Sequence, residues 1–358
     1  MKPVKLLVDS FADEDLTNAQ MINAREIVRR LHPERFAVTM FFLRTPSPQI
    51  ANRPNTRLIQ LPPRLQTISI LKQFVLGDQD IVFYLKPSPA SRGFLQLRSM
   101  GYKRCDIVAT VESQSDWRDD TTTPQTRRMV EKTIFRCRHL FSNSPLVQQS
   151  LSAHYGLSSE VVRTGVDTEF FQPNWNRAPN PKPRVLFVGA LRNFKGPQFV
   201  LDAAGRYPQA EFVLVGDGAL RKQLEARSQS LPNVQMLGWL GRSAIREEFA
   251  RADIFLFPSR WEGSPRVLME AACCGLPVVA RKEYRPESVI DGHTGFLAAD
   301  DHEMMVRLQQ LLGDSNLRRS MGECGRAHMA GFSWDGITRQ WEDIFARLAQ
   351  ERWKGVRP

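Results

Sequence analysis

Long apolar runs are missing from this 358-residue chain: none approaches the ~20 residues that cross a bilayer, and the N-terminal MKPVKLLVDSF lacks an apolar core long enough for a secretory signal. Both absences predict a cytoplasmic protein. Cysteine is scarce, five in all, and the spacing fits neither metal ligands nor a redox pair, although Cys273 and Cys274 are adjacent. An odd count without a framework reads as small buried residues of a reducing compartment. Short repeats, low-complexity tracts and heptad seams are absent as well, which removes repeat arrays and coiled coils.

The formal charge of +11 raises nucleic acid and membranes as partners. Its distribution decides between them. Met1 to Pro173 carries 23 Lys+Arg against 17 Asp+Glu, and the remainder 26 against 21, so the excess is spread evenly at +6 and +5. There is no basic tail and no aromatic-basic motif, and nucleic acid is therefore not expected. Weak attraction to an anionic membrane surface, making the protein peripheral at its inner face, is one consequence. Arg25, Arg29, Arg30, Arg92, Arg98, Lys103 and Arg104 are the residues for it. The competing reading is that these cations solvate the surface or bind phosphate.

The length suits two domains, each able to bury a core. Apolar strands at Val4–Val8, Ala37–Leu43, Asp80–Tyr84, Ile107–Val111, Val185–Val188, Phe212–Val215 and Ile254–Phe257 alternate with helical patterns, as in doubly wound parallel sheets. QPNWNRAPNPKPR, Gln172 to Arg184, is rich in Pro and Asn and reads as the linker. The expected organisation is 1–173, a linker 174–183, a second domain 184–332 and a terminal helix 333–358. That helix places Trp334, Ile337, Trp341, Ile344, Phe345 and Leu348 at helical spacing, a stripe that needs a partner surface.

The densest chemistry lies in FLFPSRWEGSPRVLMEAACCGLPVVA, Phe255 to Ala280. A buried strand ends at Pro258, and Glu262 falls in the loop beyond it. Gly263 permits close backbone approach to a ligand, Ser264 is the expected N-cap, and Pro265 suits the first helical turn. Free amides of that turn, including those of Arg266 and Val267, would face the loop as a diphosphate requires. Glu270, about one and a half turns on, can accept hydrogen bonds from ribose hydroxyls. For two glutamates alone, a solvated helix carboxylate and an idle loop carboxylate are the ordinary reading.

The segment resembles the Glu, seven residues, Glu signature of retaining glycosyltransferases of family four in the GT-B superfamily. The resemblance implies an α/β GT-B fold: two Rossmann-like domains facing a central cleft, the last helix crossing back to the N-terminal domain. It implies transfer of a sugar from a UDP- or GDP-sugar to a glycan, lipid-linked or small-molecule acceptor, with no metal or other cofactor. Glu262 would lie at the transferred sugar and Glu270 at the ribose.

Other blocks extend the likeness. VGALRNFKG, Val188 to Gly196, resembles the family's phosphate loop, with Gly189 at its turn and Lys195 and Arg192 set to meet the diphosphate. Many relatives place an Arg where this chain has Ala190. VGDG, Val215 to Gly218, implies a cleft wall that includes Gly216. PNVQMLGWL, Pro232 to Leu240, precedes the nucleobase position. RPESVIDGHTGFL, Arg285 to Leu297, matches a turn block that relatives often precede with Gly-Gly, here Glu283 and Tyr284. VVRTGVDTEFFQP, Val161 to Pro173, matches the strand and turn at the domain exit.

The acceptor half departs further. Its first loop, DSFADEDLTNAQ, Asp9 to Gln20, has no glycine; Asn18 and Gln20 are the candidates there. After Ile107–Val111, where relatives generally have His, stand Glu112 and Ser113. Glu112 would bind an acceptor hydroxyl or stabilise positive charge on the sugar, or else act as a capping carboxylate. Two rivals remain: a GT-B protein of other chemistry, epimerase-like or a phosphorylase, and a catalytically idle scaffold.

Overall fold

The computed structural model describes residues 2–15, 18–102, 105–112 and 123–353. They form two compact units. The first holds the described residues up to Gly165 together with those from Trp334 onward, and the second is Val166–Ser333.

In the first unit seven parallel strands, β1 (Val4–Phe11), β2 (Phe36–Phe42), β3 (Thr56–Gln60), β4 (Ile81–Phe83), β5 (Asp106–Val111), β6 (His139–Ser142) and β7 (Glu160–Val161), line up in the order β3-β2-β1-β4-β5-β6-β7. Central strands are continuous apolar runs, Leu6 to Val8 being at most 1% exposed, because helices cover both faces. Short polar side chains start the helices: Asn18, Ser88, Thr123 and Ser144 each accept a backbone N–H at Met21, Ser91, Thr126 and Val147.

The helix Trp334–Trp353 belongs to this unit and packs on the helix Ala19–Arg30. Trp341 lies 4.8 Å from Phe83 and 4.9 Å from Phe141, ring centre to ring centre, and Phe345 lies 4.8 Å from Phe83. Polar contacts frame the stripe: Glu342 accepts from the His32 amide at 2.6 Å and from Arg35 at 2.9 Å. Gly165 has no room for a side chain, since a Cβ there would come within 2.5 Å of the Trp334 ring.

The second unit has six parallel strands, β8 (Arg184–Val188), β9 (Glu211–Val215), β10 (Val234–Gly238), β11 (Ile254–Phe257), β12 (Val278–Arg281) and β13 (Gly295–Ala298), in the order β10-β9-β8-β11-β12-β13. Its boundary differs from the expected one. The junction falls at Gly165–Val166, not after residue 173, because Asp167 is fixed in this unit by Arg242 at 3.0 Å and Val166 donates to Phe332 O at 2.8 Å. Residues 174–183 are likewise packed on the second unit. Asn180 donates to Asp253 at 2.8 Å, Arg177 pairs with the same carboxylate, and Trp175 lies against Gly275 and Gly322 under the Arg319 guanidinium. Proline and asparagine content marked an irregular segment, which need not be a loose one.

All five cysteines are free, four of them buried. Among the described residues no helix is long and apolar enough to cross a membrane.

Candidate functional site

In the second sheet β8 and β11 are neighbours, but the chain leaves β8 toward β9 and β10 on one side and leaves β11 toward β12 on the other. Connections departing in opposite directions open a crevice at the carboxyl ends of these two strands, the usual ligand position in such sheets. The β8 loop makes a tight turn at Asn193–Lys195, ends on Gly196 at φ 67°, and starts the helix Pro197–Arg206 with proline in its first turn.

Backbone approach explains two glycines here. Gly216, at φ 140°, would place a Cβ 1.9 Å from Gly189 O, and Gly218, at φ 157°, would place one 2.7 Å from Leu191 O. The β8 and β9 loops touch main chain to main chain, with Leu191 N donating to Asp217 O at 2.9 Å. Gly216→Ala is therefore expected to cost ~1–3 kcal/mol or more through strain and overpacking. Thermal unfolding would show it, and an unchanged melting temperature would refute the close approach.

Lys195 and Glu262, 67 residues apart, meet at the crevice: Lys195 Nζ lies 2.5 Å from Glu262 Oε1. Ser259 Oγ donates to the same oxygen at 2.6 Å. The ammonium also lies over the rings of Phe194 and Phe257, at 5.2 and 5.4 Å, and Arg260 N donates to Phe194 O at 2.8 Å, tying the two loops together. Gly263 is buried and Arg192 is exposed.

The helix begins at Arg266, with Pro265 in the cap position and no side-chain cap, so the expected N-cap role of Ser264 is not made. Pro265 holds ψ 108°, an extended value that keeps it out of the first turn. The first-turn amides of Arg266 and Val267 have no intrahelical partner by construction. Glu270 accepts from Arg266 Nη2 at 3.0 Å, and Arg266 Nη1 is buried without a partner among the described residues.

Tyr284, marked in the sequence only as a departure from Gly-Gly, is not assigned to the site by motif reading. It is 2% exposed, and burial, with the negative field of Glu262 adding to it, pushes its hydroxyl well above the ordinary value. The signal available was its place where relatives carry glycine.

In the first unit the Glu112 carboxylate receives Asn23 Nδ2 at 3.0 Å and the Tyr84 hydroxyl, while Asn143 donates to Glu112 O at 2.8 Å. Burial and then the neighbouring Glu112 raise Tyr84 well above its usual range, so it remains a donor. Asn18 is occupied as a helix cap, with Met21 N at 2.8 Å, and Gln20 is half-buried in the first turn of that helix. Ser113, Lys103 and Arg104 lie outside the described residues. The glycine-free loop is held by a carboxylate instead: Asp13 accepts the amides of Leu43, Arg44 and Thr45 at 2.8, 2.6 and 3.2 Å.

The arginines of the first helix are engaged within the unit. Arg29 lies 2.8 Å from Glu26, Arg30 pairs with Glu26 and with Asp335 at 3.0 Å, and Arg25 donates to Asp13 O. A lipid-facing patch at these three positions is not what the side chains form.

Asp9 lies in the carboxyl half of β1, beside the β1–β4 switch point, and accepts Lys86 N at 2.8 Å. Burial pushes it up to about 6. Its contribution to stability is full below the ordinary 3.8 and is lost as pH rises through about 6. Relative to Asp9→Asn, the wild type is expected to lose roughly 2–3 kcal/mol between those values. Urea unfolding across a pH series measures the difference, and parallel curves would contradict it.

Residues 168–328 match the family model described as glycosyl transferases group 1. The matched segment lies within the second unit. The D-inositol 3-phosphate glycosyltransferase of Corynebacterium jeikeium is 29% identical over 281 residues, 70% of this chain and 67% of that protein. Across three such corynebacterial relatives the matched region spans 60 to 67% of their length. Among solved structures, a sucrose-phosphate synthase from Thermosynechococcus elongatus superposes with a TM-score of 0.77 at 20% identity, over 97% of this chain and 99% of that one. Anabaena HepE, in complex with UDP-glucose, gives 0.74 at 19% identity over 96% and 99%. The fold is thus GT-B. Among its described residues no group of three or more His, Cys, Asp or Glu is placed to hold a metal ion.

Proposed function

We propose that the protein is a retaining glycosyltransferase that moves a sugar from a nucleotide-sugar donor to a glycan, lipid-linked or small-molecule acceptor. The observation that carries this reading is the Lys195–Glu262 pair at the β8–β11 switch point, beside an uncapped helix start. A cation and free amides suit a diphosphate that gains charge as it departs. Lys195 and Arg192 would neutralise that charge with help from the amides of Arg266 and Val267. Glu262, once Lys195 turns to phosphate, would orient the sugar through the oxygen it shares with Ser259. Glu270 would receive the ribose hydroxyls. No protein nucleophile is required where the departing phosphate accepts the acceptor proton on the same face.

On the first unit, Glu112 with Tyr84 and Asn23 is the proposed acceptor group. The carboxylate keeps a fixed orientation through these two donors, as a group that binds an acceptor hydroxyl needs. The same saturation favours the second reading, a scaffold that binds donor without turnover. UDP and UDP-glucose in complexes of Anabaena HepE make uridine donors the first to test. Calorimetry with UDP- and GDP-sugars, followed by NMR of the product anomer, separates the readings: binding without transfer selects the scaffold, and an inverted product overturns retention. Glu270→Ala is expected to weaken donor binding by ~1–3 kcal/mol, the effect of removing a charge-assisted hydrogen bond. Unchanged donor affinity would remove Glu270 from the site.

A further inference from the structure

At the edge of the first sheet where β5 and β6 begin, opposite the end that bears Glu112, a cavity of about 460 Å³ lies under the final turn of the helix Trp334–Trp353. Its volume is in the range of small-ligand pockets. Arg98, Arg136, Arg138 and Arg352 line it together with His139, against two carboxylates, Asp106 and Glu351. Elsewhere arginines such as Arg184, Arg227, Arg242, Arg281 and Arg347 each stand in an ion pair. Arg136 and Arg138, both exposed, pair with no described carboxylate.

The polar groups that are present do not cancel this charge. Asp106 faces His139 at 3.8 Å. Burial acts to raise it, but the His139 contact and the fields of Arg352 and Arg98 outweigh that and hold it below its usual value. Cys105 and Cys137 line the same cavity, and burial pushes their thiols up to about 11 and about 12. Protonated thiols are poor nucleophiles, and among the described residues no group of three or more His, Cys, Asp or Glu is placed to hold a metal ion. Arg98 Nη1 donates to Cys105 O, and the four planar guanidinium groups around one void match the oxygens of a phosphate ester, to which a guanidinium with both N–H groups available gives two parallel bonds.

We propose that this cavity is an anion site, separate from the donor loops, which takes a phosphate-bearing ligand through Arg98, Arg136, Arg138 and Arg352. The phosphate belongs either to a soluble ester or to a lipid headgroup. Trp353, half exposed at the cavity wall, offers an aromatic face to either.

The test uses the full chain, the variant Arg136→Ser/Arg138→Ser, and a charge-matched control, Lys72→Ser/Lys222→Ser, whose exposed lysines lie away from the cavity. Calorimetry with inorganic pyrophosphate and co-sedimentation with phosphatidylglycerol–phosphatidylcholine vesicles, compared with phosphatidylcholine alone, supply the readouts. UDP-glucose binding is measured in parallel, so that failure of the donor site and failure of this one are told apart. The expected result is at least tenfold weaker pyrophosphate binding, or loss of vesicle recruitment, in the arginine variant but not in the control. Recruitment to anionic vesicles identifies the lipid source, and pyrophosphate binding without recruitment identifies the soluble ester. Equal behaviour of the arginine variant and the control, or of the arginine variant and the wild type, with both probes overturns the proposal.

Discussion

Lys195→Ala is expected to lower kcat/KM by about 10²–10³-fold, the usual effect of deleting one preorganised group that meets charge developing in a transition state. The residue is placed for that effect. Its side chain is 20% exposed, and the ammonium, 2.5 Å from Glu262, is held among ring faces of Phe194 and Phe257. Little side-chain freedom remains to be lost when a diphosphate arrives. Glu262→Gln alone should also reduce turnover, while keeping an acceptor for Ser259. Because the two charges touch, the double variant Lys195→Ala/Glu262→Gln should fall well short of the product of the single losses. Steady-state kinetics on all four proteins gives the coupling directly. A Lys195→Ala enzyme within threefold of wild type would sink the assignment of the phosphate loop.

Trp341→Ala should destabilise the first unit by ~3–5 kcal/mol, the range for removing a large buried aromatic. Trp341 is 3% exposed, and its ring meets Phe83, Phe141 and Phe345 at centroid distances of 4.8, 4.9 and 5.6 Å. Phe83 and Phe141 are fixed on their strands and Phe345 on the helix itself, so the neighbours cannot collapse into the space and most of the void should persist. With two units, unfolding need not be a single transition. Urea titration should therefore move one transition and leave the other in place. A common shift of both, or no shift, would contradict the assignment of this helix to the first core.

The donor side was legible because its chemistry is local. Strand, loop and helix between Ile254 and Cys273 follow one another in the chain, and β11 occurs at the residues its apolar run indicates. Lys195 and Glu262 were each readable from their own loops, although nothing in the chain announces their contact. The acceptor side is different. Asn23 and Tyr84 reach Glu112 from 89 and 28 residues away, on a helix and just beyond a strand with ordinary helical and apolar patterns. Asp13 replaces glycine by gathering three amides, an arrangement that composition reads only as an acidic loop. β3 escaped notice for a related reason: it is an edge strand with no buried residue, so its pattern resembles surface chain. Ser264 shows the limit at one residue, since the cap position depends on the ψ angle of the proline that follows it.

The position of the helix Trp334–Trp353 has a consequence for synthesis. The second unit is an insert, with Val166 N bonded to Phe332 O and both of its ends in one place. The insert therefore emerges from a ribosome ahead of the helix Trp334–Trp353. The strands made first wait with Phe83, Phe141 and Phe36 uncovered until Trp341 and Phe345 emerge. The half of the protein that is translated first is the half whose core closes last.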